Sequence, residues 1–338
     1  MPTILNQPAF AFEDVTLVPL HSDIESRYDE SISTATNLGG LALGLPIISA
    51  NMDTITEGPM ACVMAESGGL GIVHRFMSPK QQISELCAFP APRIACIGVG
   101  LAELDRLKLI MEQIDIDGIL VDIAHGHSKQ MTQQLYEVDK LFRGKPIIAG
   151  NVCTPGGVEY LYNSGATCVK VGVSNGCLCT TRRQTGNGVP QFSAILECAE
   201  KKLVPIIADG GVKCAGDIVK ALSAGAEAVM IGGLLAGTDE TPGEIFREHD
   251  GRAYKIYRGL ASAEAQLSWR GDIHSVEGES MRVPYKGKVE NIIRELRAGL
   301  RSGMSYQGAK TLQQLRDNSI FRVQTHAGYI EGLPHGKR

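Results

Sequence analysis

Eight short apolar, β-branched runs punctuate the chain, each bounded by glycine, proline or a charged residue: 46–50, 70–74, 94–98, 118–124, 146–150, 168–173, 205–208 and 228–232. They are apolar throughout rather than alternating, the character of parallel strands buried on both faces. Their starts lie 24, 24, 24, 28, 22, 37 and 23 residues apart, and most intervals carry a helical pattern, as at 101–113 and 215–224. Eight strand-helix alternations predict an α/β chain, a (β/α)8 TIM barrel, with a doubly wound open sheet as the rival. An internal repeat points the same way. Pro146-Ile147-Ile148-Ala149 and Pro205-Ile206-Ile207-Ala208 are one tetrapeptide at two strands, each followed by a turn, a helix and Gly-Ala-x-x-Val-x-x-Gly, at 165–172 and 225–232.

Barrel enzymes carry their chemistry where the strands end, so the residues just after each run are the ones to inspect. They are Asn51 and Asp53, His74 and Arg75, Gly98 and Gly100, Asp122 and His125, Asn151, the stretch from Ser174, Asp209, and Gly232 with Gly233. Helix capping would account for one or two of these, such as Asn151, but poorly for polar residues at all eight ends. His125 and His127 lack a third partner in the sequence that would make them metal ligands.

The 37-residue interval after the sixth run is the outlier. A helix and turn need about 24 residues, so roughly 13 are surplus, and surplus loop on this face is usually functional. It holds Cys179 among Gly176, Thr180, Thr181, Arg182 and Arg183. Most cysteines are small buried hydrophobes, but a polar, electropositive loop is where a thiolate nucleophile would sit. After the seventh and eighth runs come Asp209-Gly210-Gly211 and Gly232-Gly233. Glycines in those two loops let backbone N–H groups approach a phosphate, and a carboxylate there suits a vicinal diol. Thiol nucleophile, anion cradle and diol acceptor together suggest a nucleotide substrate.

Composition narrows the partners. With 338 residues, one domain or two would fit by length alone. The net charge of -4 offers no broad basic field, which argues against nucleic acid. Nine cysteines without a CxxC pair indicate a reducing compartment, and no run approaches the roughly 18 apolar residues of a membrane span. The N-terminus lacks a basic-then-apolar leader. The expectation is a cytoplasmic protein that acts on a small molecule.

Phe12-Glu13-Asp14-Val15, Asn51-Met52-Asp53-Thr54, Gly69-Leu70-Gly71-Ile72-Val73-His74, Ala149-Gly150-Asn151-Val152, Cys179-Thr180-Thr181-Arg182, Ala208-Asp209-Gly210-Gly211 and Tyr257-Arg258-Gly259 resemble, in order, the IMP dehydrogenase / GMP reductase family. The resemblance runs from about residue 9 to residue 323. It implies one barrel with an N-terminal arm, an active-site loop at about 174–190, a flap at about 261–285, a C-terminal helical segment and a homotetramer. Both family reactions join a cysteine to purine C2. In the dehydrogenase, hydride leaves IMP for NAD and water hydrolyses the adduct. In the reductase, ammonia leaves GMP and NADPH delivers hydride, giving IMP.

Two features favour the reductase. Residues 77–93 leave no room for the CBS modules that dehydrogenases usually insert, and the flap has Arg270-Gly271 where they carry an Arg-Tyr pair. The resemblance assigns Cys179 as nucleophile and Thr181 with Glu277 as the proton relay to departing ammonia. It gives Asp209 to the ribose, and Gly210, Gly211, Gly232, Gly233 and Tyr257 to the phosphate end. Gly259, Leu260, Ala261 and Gly278 line the base with Glu277. NADPH would be held by Ser26, Arg27, Arg75, Asp122, Ile123, Ala124, Ser302, Gly303, Met304 and Ser305, some of them from a neighbouring subunit. Carbonyls of Ser174, Gly176 and Cys179 would take K+.

The chain departs from the family at Ser174-Asn175-Gly176-Cys177, usually Gly-Pro-Gly-Ser, so a thiol stands where a serine hydroxyl meets phosphate. His274 and Val276 replace an arginine and a serine found in many reductases, and 122–128 leans toward the dehydrogenase form. A dehydrogenase without CBS modules and a non-catalytic purine-nucleotide-binding paralogue therefore stand as alternatives.

Overall fold

The computed structural model describes residues 3–334. Eight parallel strands occupy the eight expected runs: β1 Ile47–Ser49, β2 Leu70–Gly71, β3 Ile94–Ile97, β4 Gly118–Asp122, β5 Ile147–Val152, β6 Cys168–Val171, β7 Ile206–Asp209 and β8 Ala228–Ile231. Each pairs with its sequence neighbour and β8 pairs with β1, with Val229 opposite Ile47. Between β2 and β3 the closure is one parallel bridge, Val73 to Ala95. The result is a closed (β/α)8 barrel. The strands are buried almost end to end because helices cover their outer face and side chains fill the inner one.

The sequence repeat has a structural meaning. The helices Pro155–Asn163 and Ala215–Ser223 end alike. Ala166 N–H bonds the Leu161 carbonyl and Ala226 N–H bonds the Ala221 carbonyl, both at 3.1 Å, with Gly165 and Gly225 at φ 103° and 114°. A helix that ends on a positive-φ residue needs glycine there, and this turn aims the chain into the next strand.

Segments outside the barrel close its ends. The hairpin Thr36–Leu38/Leu41–Leu43 turns on Gly39 and Gly40, both at positive φ, and buries Leu38, Leu41 and Leu43. Gly39 lies against Thr167 and Gly40 against Pro146, at the N-terminal ends of β6 and β5, so the hairpin plugs the barrel floor. The arm strand Val15–Leu17 pairs antiparallel with Phe321–Val323 and ties the two ends of the chain together. On the opposite face, Phe246–Arg247, Ala253–Arg258 and Ser280–Pro284 form an antiparallel sheet that carries the flap. The long helix Val289–Tyr306 then packs on Ala215–Ser223, with Gly299 against Ala215 and Gly303 against Val219. Among the described residues, no helix is long and apolar enough to cross a membrane.

The two helix-ending glycines differ in surroundings. A Cβ on Gly165 meets nothing within 4 Å, whereas one on Gly225 lies 2.4 Å from the Ala199 Cβ. Gly165→Ala should therefore cost only the positive-φ penalty of about 1–2 kcal/mol. Gly225→Ala should cost about 1–3 kcal/mol more from overpacking. Urea denaturation of both variants measures the difference, and equal losses would refute it.

Candidate active site

The C-terminal ends of the strands surround a cavity of about 540 Å³. A buried charge cluster forms its floor. Lys170 on β6 is only 3% exposed, and its Nζ lies 2.6 Å from Asp209 Oδ2 and 2.9 Å from Asp122 Oδ1. The Asn151 amide donates to Asp209 at 2.8 Å and the Asn51 amide to Asp122 at 3.1 Å. Burial alone would lower the Lys170 pKa, but the two carboxylates outweigh it and hold the ammonium above the usual lysine range. Burial likewise opposes the Asp122 carboxylate, and Lys170 followed by Arg75 holds it below the ordinary value. Lys170 was missed in the sequence, although a charged residue inside a buried strand is a signal in itself.

The surplus loop is built, not slack. Its short helix Thr181–Thr185 ends on Gly186 at φ 72°. Asn175 donates to Gln191 Oε1 at 2.6 Å and to the Val189 carbonyl at 3.0 Å, while Arg182 donates to Asn175 Oδ1 at 2.8 Å. Gln191, itself buried, donates to the backbone carbonyls of Val171 and Asp209. These contacts join the loop after β6 to the end of β7.

Cys179 is exposed on this loop and lines the cavity. Its thiol donates to Thr181 Oγ1 at 3.2 Å, and that hydroxyl donates to Glu277 Oε2 at 2.7 Å. Ser275 Oγ donates to the other carboxylate oxygen at 3.3 Å. Thr181 lies two residues from Cys179 and Glu277 nearly a hundred, and the backbone joins them. Cys179 bridges Gly278 in antiparallel fashion, and Thr180 N–H donates to the Glu277 carbonyl at 2.9 Å. Cys96 and Cys198, by contrast, are buried thiols pushed up to about 12 by desolvation. Cys87, Cys177 and Cys214 are exposed, so the cysteines other than Cys179 are not uniformly packing residues.

The flap is pinned by a buried glutamine that the sequence did not single out. Gln266, on helix Ala263–Arg270, donates to the Ala261 and Ser275 carbonyls at 3.1 and 2.9 Å and accepts from His274 N–H. Gly259, Leu260, Ala261 and Gly278 line the cavity around it. Arg258 adds a forked pair to Asp53, at 2.9 and 2.6 Å, and bonds Ser268. Asp53 and His74, both on the expected polar rim, thus hold the site rather than face it. His74 is buried 3.2 Å from Glu57 Oε1.

At the other end, Gly210 and Gly211 have φ of 95° and 80°. A Cβ on Gly232 would sit 3.0 Å from the Tyr257 hydroxyl, and one on Gly233 would sit 3.6 Å from Cys177 Cβ. Gly232 and Gly233 therefore meet Tyr257 and Cys177 at one corner, whereas Gly210 lies against the backbone of Asn175 and Gly176 and Gly211 against Gln191; Tyr257 and Cys177 line the cavity and the four glycines stand behind that lining. Burial raises the Tyr257 pKa and keeps its hydroxyl a donor. Lys286, unexpected from the sequence, donates to the Gly233 and Leu234 carbonyls and braces this turn.

Arg75, Asp122, Ile123 and Ala124 line the cavity, whereas Ser26, Arg27, Ser302, Gly303, Met304 and Ser305 do not. Arg301, next to the second group, donates to the Arg27 carbonyl. Ser305 bonds the Ser302 carbonyl, and Met304 is buried in the core. For the monovalent-cation set, Ser174 adopts φ 68° and the Gly176 carbonyl already accepts from Cys179 N–H at 3.0 Å.

A barrel whose strand ends gather a loop thiol, a hydroxyl relay and paired carboxylates around one cavity has the layout of a barrel enzyme's active site. The family model described as IMP dehydrogenase / GMP reductase domain matches residues 9–335, and the chain belongs to that family. GMP reductase 2 of Mus musculus is 37% identical, covering 95% of this chain and 96% of its own. A crystal structure of a GMP reductase point variant from Trypanosoma brucei, in complex with guanosine 5'-monophosphate, superposes with TM-score 0.93 at 28% identity over 98% of both chains. Inosine 5' monophosphate dehydrogenase from Legionella pneumophila gives TM-score 0.86 at 41% identity, covering 95% of this chain and all of that one. Both family names occur among the relatives, so the likeness supports an oxidoreductase and leaves the choice of reaction to the site.

Replacing the buried Lys170 with Met should leave the Asp122 and Asp209 carboxylates without their cation and with only the Asn51 and Asn151 amides as partners, at a cost of about 3–5 kcal/mol near neutral pH. Asp122 contributes stability above its unfolded pKa of 3.8 that is lost as pH falls through its lower folded value. In the variant its pKa should rise instead, so the deficit against wild type should shrink as pH falls from 7 toward 5. Denaturation at several pH values measures this, and a deficit that does not change with pH would refute the ion-pair account.

Proposed function

We propose that this chain is an NADPH-dependent GMP reductase, which converts GMP to IMP and ammonia. The observation that carries the reading is the continuous path from the Cys179 thiol through Thr181 to the Glu277 carboxylate. The absent Arg-Tyr pair on the flap, with Arg270-Gly271 in its place, supports the same choice.

The chemistry follows from what each group can do. The Cys179 sulfur adds to purine C2, and its proton passes by way of Thr181 to Glu277. An amide anion is a poor leaving group, so Glu277 returns a proton through Thr181 and the C2 amine departs as ammonia. The C2–S bond remains until hydride reaches C2, and the thiolate then leaves with IMP released. NADPH, when bound, supplies that hydride. Asp209, held by Lys170 and Asn151, presents its carboxylate to the ribose hydroxyls. Gly210, Gly211, Gly232, Gly233 and Tyr257 donate to the 5'-phosphate, and Gly259, Leu260, Ala261 and Gly278 enclose the base.

NADPH would lie against Arg75, Asp122, Ile123 and Ala124 of one subunit. Ser26, Arg27, Ser302 and Ser305, outside the cavity, would be offered to a neighbour in a homotetramer, which light scattering would detect, while Gly303, packed on Val219, and Met304, buried in the core, would only support that segment. K+ would bind carbonyls of Ser174, Gly176 and Cys179, and its replacement by Li+ should lower turnover. A cytoplasmic location fits the reduced cysteines.

A dehydrogenase reading draws on the 41% identity to the Legionella pneumophila enzyme. Incubation with GMP and NADPH, following absorbance loss and ammonia, separates the two. NADH formed from IMP and NAD, with no turnover of GMP, would reject the reductase. Cys179→Ala should abolish turnover while GMP affinity stays within about tenfold. Glu277→Gln should slow ammonia release by about 10²–10⁴-fold and slow hydride transfer less. Burst measurements of ammonia against NADPH oxidation read the two steps, and equal slowing would remove Glu277 from the acid role.

A further inference from the structure

Two thiols share one turn at the cavity edge, and the chemistry at purine C2 uses only one of them. Cys179 N–H donates to the Gly176 carbonyl at 3.0 Å and closes a turn whose central residues are Cys177 and Leu178. Leu178 is buried in the core, while Cys177 and Cys179 on either side of it are exposed and line the same cavity. Packing the leucine inward leaves both neighbouring thiols on the open side. Two residues of chain span at most about 7 Å even when extended. The turn shortens that span into the range of roughly 4.4–6.8 Å between Cα atoms that a disulfide bridges.

Neither side chain is locked, whereas the backbone that carries them is. Cys177 has no hydrogen-bond partner among the described residues, and the Cys179 thiol has one long bond, 3.2 Å to Thr181. Asn175 is held by Gln191, and Cys179 bridges Gly278. Rotation of two exposed side chains is therefore the motion that joining the sulfurs requires. The other exposed cysteines, Cys87 and Cys214, lie outside the cavity. Position 177, where the family pattern has serine, is the one that supplies the second thiol.

We propose that Cys177 is a resolving thiol for Cys179, so that a hydroperoxide closes a Cys177–Cys179 disulfide and stops the enzyme reversibly. The Cys179 sulfur attacks one peroxide oxygen, the O–O bond breaks, and the other oxygen leaves with the thiol proton as alcohol or, from hydrogen peroxide, as water. Cys179 is then a sulfenic acid. The Cys177 sulfur attacks it, the S–O bond breaks, and hydroxide leaves with the Cys177 proton as water. Two thiols have then lost two electrons to the peroxide, and a dithiol reductant returns them by exchange. While the disulfide is closed, Cys179 can neither add to purine C2 nor pass a proton to Thr181. A sulfenic acid without a resolving partner goes on to sulfinic acid, which dithiols do not reverse. The inference rests on Cys179 as the reactive thiol, and not on which purine nucleotide it meets.

Tryptic cleavage after Lys170 and Arg182 releases peptide 171–182, which holds Cys177 and Cys179 and no other cysteine. After treatment of the wild-type protein with hydrogen peroxide and alkylation of free thiols, this peptide should be unalkylated and two hydrogens lighter than its reduced form. Dithiothreitol should then restore both thiols and at least about 80% of turnover. Cys177→Ser should carry sulfinic acid at Cys179 after the same exposure and recover less than about 20% of its own untreated turnover. A wild-type peptide that keeps two alkylated thiols, carries sulfinic acid or is linked to Cys87 or Cys214 would overturn the proposal. So would recovery of Cys177→Ser as full as that of wild type. The peptide measurement needs no variant, so it decides the matter even where Cys177→Ser folds poorly. If the disulfide forms but neither GMP nor IMP is turned over, the resolving pair stands and the reductase reading falls. If Cys179 carries turnover and no disulfide forms, the resolving pair falls and that reading stands.

Discussion

The Lys170 ammonium sits beneath five strand ends and fixes how they meet. It holds Asp122 at the end of β4 and Asp209 at the end of β7. Asn51 and Asn151, following β1 and within β5, hydrogen-bond to the same two carboxylates. An ammonium with two carboxylates at 3 Å or less, each also bonded to an amide, has the satisfied geometry that a buried ion cluster needs to persist. It fixes the Asp209 carboxylate at the cavity floor and anchors the rest of the site. The loop after β6 reaches the β7 end through Gln191, and the flap meets that loop through the Cys179–Gly278 bridge.

Rigid floor and folded-over cover then divide the work. The floor positions and charges, and the strand ends that form it are buried and short. The cover brings the reacting groups together, because Cys179 and Thr181 come from one excursion and Glu277 from another. Their contact depends on Gln266 and the Arg258–Asp53 fork keeping the flap against the barrel. A barrel suits this arrangement, since loop changes on one face leave the strands undisturbed.

Much of this was legible in the sequence. All eight strands fall in the expected runs, because a strand buried on both faces must be apolar along its length and a helix must separate it from the next. The repeated Gly-Ala turn was visible for a related reason: only glycine takes its positive φ. Cys179 and Asp209 could be placed after strand ends from spacing alone; Thr181 lay in the same loop as Cys179, but its role came from family resemblance. Glu277 came from family resemblance, because a carboxylate on a long irregular segment has no periodicity to reveal it. Asp53 and His74 looked like site residues and turned out to be braces, a distinction that depends on which neighbour the fold supplies.

The sequence by itself determined the barrel, its polar face and the loop that carries the thiol, since burial pattern and chain length are local properties written into consecutive residues. Tertiary structure decided the pairings: Lys170 with two aspartates, Thr181 with Glu277, Arg258 with Asp53. Each joins residues far apart in the chain. Their contact energy depends on distance and desolvation in the closed fold, and neither quantity exists until the fold has formed.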